Sequence, residues 1–264
     1  MLSYQHMYHA GNWADVHKHW LLAETLATLK QKPKPLFYME THAGRALYDL
    51  QSAESQKTQE AAHAITWARE NDAIDPASAY GRCLAHTAQE YGLNSYPGSP
   101  KIAQHLLDDG DTLVLAELHP QEHDALTENM FRSGAHIHKK DGYQLMQSMM
   151  PPTPRRGLVM IDPSYEIKSE YADVPNAAKH AAKAWNVGNF LMWYPILTDH
   201  RQVEMVDQLH DLFPEGGAHE VRFAPAREGH RMIGSGMFYN RDIYGLRAVR
   251  AKISDFFAKL PHQP

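Results

Sequence analysis

The chain has 264 residues, 43% hydrophobic and 22% charged, with 26 basic side chains against 31 acidic ones for a net charge of -5. That balance excludes a disordered chain, a collagen-like chain and a coiled coil, and it argues against sequence-blind coating of nucleic acid while leaving room for a local basic face. Cys83 is the single cysteine, which excludes an internal disulfide and a thiolate zinc site. No apolar run approaches the roughly 20 residues that cross a bilayer, and the amino end lacks the basic-then-apolar pattern of a signal peptide. A soluble, cytoplasmic chain folding as one domain over 1–264 is expected.

In chain order, Asn12 reads as the N-cap of a helix whose apolar positions Val16, Trp20, Leu21, Leu22, Leu26 and Leu29 recur at helical spacing, with Pro33 and Pro35 ending it. Residues 35–44, PLFYMETHAG, read as a buried strand running into a turn at Gly44, the opening of an α/β nucleotide-binding unit. Residues 46–94 are alanine-rich, polar and helical in pattern, with no strand among them, and read as a helical insertion. After the YPGSP turn come a helix near 101–108, a strand at 112–118 and another helix. HIHKKDGYQLMQSMM reads as a loop and a helix, and GLVMI at 157–161 is the most apolar strand. Further strands are expected at 189–194, 220–223 and 236–239, with the helix KHAAKAWNV before the first of these. This alternation predicts a mostly parallel, doubly wound sheet.

Such a sheet gathers its ligands at the carboxyl ends of its strands. Three of those ends carry polar groups: Glu40, Thr41 and His42; Glu117 and His119; and Asp162 through Glu166. His17-x-His19 and His136-x-His138 would present both rings to one side only in a strand, and neither segment reads as one, so no metal site is expected. The THAGRA turn around Gly44 lacks a full GxGxxG and gives no support for a nicotinamide cofactor.

The Asp-Pro-Ser-Tyr that follows GLVMI resembles the DPPY signature of amino methyltransferases. An exocyclic adenine nitrogen has its lone pair conjugated into the ring and is a poor nucleophile until acceptors hold its N–H bonds. Asp162 and the Pro163 carbonyl are suited to that task, and Tyr165 to stacking the base. MLSYQHMYHAGNWADVHKHW, THAG at 41–44, the turn at 96–100, AELHP at 116–120, DPSYE at 162–166 and WYP at 193–195 stand in register over nearly the whole chain. Together they resemble the bacterial 23S ribosomal RNA adenine-N6 methyltransferase family.

The resemblance implies a Rossmann-like class I methyltransferase fold with a small helical subdomain inserted at 46–94, S-adenosylmethionine as cofactor and 23S rRNA as substrate. It also implies a monomer with no obligate protein partner and no membrane association. Carried over by position, it implies cofactor contacts from Lys18, His19, His42, Ser99, Glu117, Asp141, Gly142 and Asp162. Catalytic roles fall to Asp162, Pro163 and Tyr165, and substrate contacts to Tyr4, His6 and Tyr165. Two departures stand out: Ser164 replaces the second proline, and GSGMFYNRDIYGL lacks the asparagine and double proline expected after GSGM. An RNA-facing surface is expected from Lys139, Lys140, Arg155, Arg156, Arg227, Arg231, Arg241, Arg247 and Arg250, with Tyr8 among the aromatics that hold an unstacked base. The insertion is expected to grip the surrounding RNA. A DNA adenine methyltransferase and a catalytically degenerate RNA-binding protein are the alternative readings.

Overall fold

The computed structural model describes residues 6–225 and 229–260. After a single turn at His6–Tyr8, the Asn12 side chain accepts the Asp15 N–H at 2.9 Å and caps α1 (Trp13–Lys30). The chain then forms β1 (Phe37–Glu40), β2 (Leu47–Asp49), α2 (Ala53–Thr58), a π-helical turn at Ala62–Thr66, α3 (Trp67–Glu70), α4 (Ala79–Tyr91) and β3 (Ser95–Pro97). There follow α5 (Ser99–Leu106), β4 (Thr112–Ala116), α6 (Pro120–Asn129), β5 (His136–His138), α7 (Gly142–Met149) and β6 (Gly157–Ile161). The last elements are α8 (Glu170–Ala184), β7 (Asn189–Leu197), α9 (Val203–Leu212), β8 (Gly217–Arg222), β9 (Met232–Tyr239) and α10 (Leu246–Ala258).

Among the described residues, seven strands make one sheet in the order β5-β4-β1-β6-β7-β9-β8, in which β9 alone runs antiparallel. From β1 the chain winds outward to β4 and β5, and from β6 it winds the other way. The boundary between β1 and β6 is therefore the switch point, where a doubly wound sheet opens a crevice beyond its carboxyl ends. Strand residues alternate between two cores. Tyr38, Leu158 and Met160 join the cluster under α1, α5 and α10, whereas Phe37, Met39, Val159 and Ile161 join the cluster under α7, α8 and α9. With both faces covered, β1 and β6 are buried at every position, which is why they read as apolar runs, broken only by Glu40 at the end of β1.

Three strands were absent from the sequence-based expectation. Leu47–Asp49 lies inside the stretch read as strandless and pairs with Ser95–Pro97, and His136–His138 pairs with β4 although HIH reads as loop. Each is three residues long, too short for a period-two pattern, and each is held by a partner distant in sequence. The segments between β2 and β3 pack on the first turns of α1: Glu60 accepts hydrogen bonds from the Asn12 amide and pairs with His9. Among the described residues no helix is long and apolar enough to cross a membrane.

The start of α7 presses against the end of β1. A Cβ on Gly142 would lie 1.9 Å from the Thr41 carbonyl oxygen, a backbone atom that cannot swing aside. Gly142→Ala is expected to destabilise the fold by about 1–3 kcal/mol, read as a lower urea midpoint; an unchanged midpoint would mean that this contact does not constrain the crevice.

Candidate functional site at the carboxyl ends of β1, β4 and β6

Asp162 stands at the end of β6, and Lys18 reaches it from the second turn of α1, with Nζ 2.7 Å from Oδ2. The same ammonium lies 3.0 Å from Asp15 Oδ1. The other Asp15 oxygen takes the Gly11 N–H at 2.9 Å and the His6 ring Nε2 at 2.8 Å. Asp15 and Lys18 are buried, so the trio carries two negative charges against one positive charge in a site with little water. Burial alone would raise the Asp15 carboxyl, but His6 and Lys18 hold it well below its ordinary range. Burial would likewise pull Lys18 down, yet Asp15 and Asp162 drive it up, so the ammonium persists at any physiological pH.

Around this trio the ends of β1 and β4 contribute further groups. Glu40 is buried, with one carboxylate oxygen 2.9 Å from the Tyr38 hydroxyl and the other 2.6 Å from Ser99 Oγ. Burial pushes its carboxyl up to about 8. The Glu117 oxygens accept the Gly44 N–H at 2.9 Å and the His119 N–H at 2.8 Å, which aims the carboxylate while leaving each oxygen a lone pair. Gly44 reaches this position at φ +60°, and an added Cβ would lie 2.6 Å from the Tyr48 hydroxyl. Burial also raises the Glu117 carboxyl. His42, lowered to about 4 by burial, holds the Thr41 hydroxyl at 2.8 Å, and its ring lies 5.1 Å from that of Tyr143. Asp141 caps α7 through the Gln144 N–H.

Lys18, Asp162, His42, Glu117, Ser99, Asp141 and Gly142 thus all lie at the carboxyl ends of β1, β4 and β6 or on elements packed against them. His19 stands apart: it is buried, lowered to about 3 by burial, and bonded to the Tyr96 hydroxyl at 2.7 Å. The stacking role expected of Tyr165 is corrected by its burial. Its ring is 6% exposed between Tyr171 and Trp193, and its hydroxyl donates to the Trp193 carbonyl at 2.7 Å, so no open face remains for a base. The backbone at Tyr165 is in the left-handed region, with φ +57°. Tyr4 lies outside the described residues, as does Arg227.

The basic surface is also revised. Arg155 and Arg156 precede β6 at the opposite end of the sheet, where Arg156 donates to the Leu29 and Lys34 carbonyls. Arg241, Arg247 and Arg250 follow the end of antiparallel β9, which is that same far end. Of the expected group, Lys139 and Lys140 after β5 and Arg231 before β9 are on the crevice side, where Arg222 at the end of β8 also stands although no basic role was expected of it, and Arg231 and Arg201 both pair with Asp199. No role was expected of Asp15 from the sequence. Its i, i+3 spacing to Lys18 was the available signal, since that spacing puts the two on one helix face. Among the described residues no group of three or more metal-ligating side chains gathers.

Comparison with known proteins places this geometry. Residues 33–260 match the family described as "Ribosomal RNA large subunit methyltransferase D, RlmJ". The chain is 36% identical over 244 residues to ribosomal RNA large subunit methyltransferase J of Escherichia coli K12, spanning 90% of this chain and 86% of that protein. To the protein of the same name from Haemophilus influenzae it is 40% identical over 204 residues, 75% of this chain and 71% of the relative. A crystal structure of a Legionella pneumophila protein superposes with a TM-score of 0.86 at 32% identity, covering 96% of this chain and 94% of that one. A probable spermidine synthase from Corynebacterium glutamicum shares the fold at a TM-score of 0.53 and 9% identity, over 97% of this chain and 74% of that one.

The Glu40 carboxyl yields a pH prediction. Its folded value near 8 lies above the ordinary 4.5, so its contribution to stability is complete below pH 4.5 and is lost as pH rises through 8. Glu40→Gln cannot ionise and should flatten that decline by up to about 1.4 kcal/mol per pH unit, measured as urea midpoints between pH 5 and 8. Equal slopes in the two proteins would contradict the assignment.

Proposed function

The chain belongs to the ribosomal RNA large subunit methyltransferase J family, and on that premise we propose that it transfers a methyl group from S-adenosylmethionine to the N6 amine of one adenine in 23S rRNA, acting in the cytoplasm as a monomer. The observation that carries this reading is the Lys18–Asp162 pair at the switch point, because it leaves Asp162 Oδ1 for an incoming amine.

The crevice suits the cofactor in chemistry. Glu117, aimed by two backbone N–H groups, has lone pairs for a ribose diol, and the Tyr143 hydroxyl is buried beside His42 with no partner among the described residues. Asp141 and Gly142 begin the helix flanking that space and suit the adenine end, with Ser99 on the β1 side, where it fixes Glu40. When bound, S-adenosylmethionine would supply an electrophilic sulfonium methyl.

This chain's residues prepare the acceptor. Asp162 Oδ1 and the Pro163 carbonyl take the two N–H bonds and favour tetrahedral character at nitrogen. The net negative charge of Asp15, Lys18 and Asp162 stabilises the positive charge that develops on the amine. The released proton passes to Asp162 or to solvent. Lys18 holds Asp162 in register, and His6, bonded to Asp15, ties the turn at His6–Tyr8 to the same network. Tyr165 anchors the 162–166 loop through its hydroxyl bond to the Trp193 carbonyl. Residues 46–94 form an inserted helical unit that grips RNA beside the crevice, with Lys139, Lys140, Arg222 and Arg231 contacting phosphate.

Incubation with labelled S-adenosylmethionine and unmodified 23S rRNA fragments, with matched DNA in parallel, tests the reading. We expect N6-methyladenosine in RNA, and a fall of at least about 100-fold in kcat for Asp162→Asn, about 2.7 kcal/mol of transition-state stabilisation, with cofactor affinity kept within a few-fold. Transfer to DNA instead, or cofactor binding with no transfer by the wild type, would overturn it.

A further inference from the structure

Trp193 stands one position beyond Met192, the partner of Ile161, and so is level with Asp162 in the neighbouring strand. Its indole ring lies 5.2 Å from the Lys18 ammonium, and its carbonyl accepts the Tyr165 hydroxyl. One residue thereby supports both the cation that holds Asp162 and the loop that carries it. What fixes this residue is a line of polar groups running away from the crevice through the core. The indole N–H donates to Ser235 Oγ at 2.9 Å, and Ser235 in β9 is completely buried. Ser235 Oγ lies 2.8 Å from His17 Nδ1, His17 Nε2 lies 2.8 Å from His219 Nδ1, and His219 Nε2 lies 2.9 Å from Ser254 Oγ on α10.

The indole can only donate, and one proton arrangement continues the line from it in a single sense. Ser235 Oγ accepts that proton, and its own hydroxyl proton has His17 Nδ1 as acceptor. The His17 proton then sits on Nε2 and points at His219 Nδ1, and the His219 proton sits on Nε2 and points at Ser254. Every bond runs in one sense, and both imidazoles must be neutral. Burial lowers both, His219 to about 4, consistent with that requirement. An apolar contact would pack α1 against β9 without fixing the rotation of the indole, whereas a hydrogen bond to its N–H fixes it.

We propose that His17 and Ser235 are positioning residues for methyl transfer, acting through the Trp193 indole to hold the Lys18 ammonium against Asp162. The inference rests on the methyltransferase reading for its catalytic consequence, and its structural half is separately observable. His17 immediately precedes Lys18 on α1, so the same line also sets where the lysine side chain begins.

Ser235→Ala removes the hydroxyl and adds no atom. The Trp193 indole N–H resonance, assigned by its loss in Trp193→Phe, should move upfield. The Lys18 ammonium resonance, protected from exchange by burial and ion pairing, should broaden. The kcat should fall about tenfold, the scale of one lost hydrogen bond, while the KM for S-adenosylmethionine changes less than about threefold, a split that general loosening of the fold would not produce. Ser254→Ala cuts the line at its exposed end and should move both resonances the same way by less; it decides the matter if Ser235→Ala does not fold. An unmoved indole resonance overturns the proposal, and so does a moved one with Lys18 and kcat unchanged. Failure of the wild type to transfer methyl would sink the enzymatic reading, and the Lys18 resonance would then decide the positioning claim by itself.

Discussion

A lysine ammonium buried between two carboxylates governs this molecule. Removing one partner from a buried ion pair costs about 3–5 kcal/mol, because the charge left behind has neither water nor a counter-ion. The fold must therefore bring α1, the end of β6 and the amino-terminal turn to one point and keep them there. The doubly wound sheet supplies the place, since the chain winds in opposite directions from β1 and from β6 and opens a crevice between them. The Asn12 cap and the Asp15 side chain start α1 at the one register that aims Lys18 at Asp162.

The crevice is built from groups that orient one another more than from groups that await ligands. Backbone N–H groups aim Glu117, Ser99 and Tyr38 hold Glu40, and the Trp193 carbonyl holds Tyr165. Each bond removes rotamer freedom before any ligand arrives, so less entropy is lost on binding. For the function proposed, an acceptor-rich, net-negative pocket suits a nitrogen that becomes positive as it is alkylated and then sheds a proton.

Much of this was legible in the sequence. The continuous apolar runs LFYM and GLVMI announce strands buried on both faces, and Asn12 followed by helical spacing announces α1. Asp162 was legible because a charged residue after such a strand has no packing role to fill. Residues whose meaning depends on distant partners were not. His17 reads as half of a His-x-His pair that no strand supports, and His219 carries no reading at all, yet the fold brings the two within 2.8 Å across 202 positions of chain. Tyr165 reads as a stacking platform, whereas the fold buries its ring between Tyr171 and Trp193. The arginines at 155 and 156 read as an RNA surface until strand direction assigns them to the far end. In each case the missing information was which end, or which neighbour, and local pattern carries neither.

A double-mutant cycle between Lys18 and Asp162, using Lys18→Met, Asp162→Asn and the pair, with methyl transfer from S-adenosylmethionine to 23S rRNA fragments as the readout, addresses the central claim most directly. If the two groups act as one unit, the double variant should be no slower than the slower single variant, giving a coupling energy of the order of the smaller single loss. Additive losses, with all three variants folded and binding cofactor, would contradict the account and show that Lys18 does not act through Asp162.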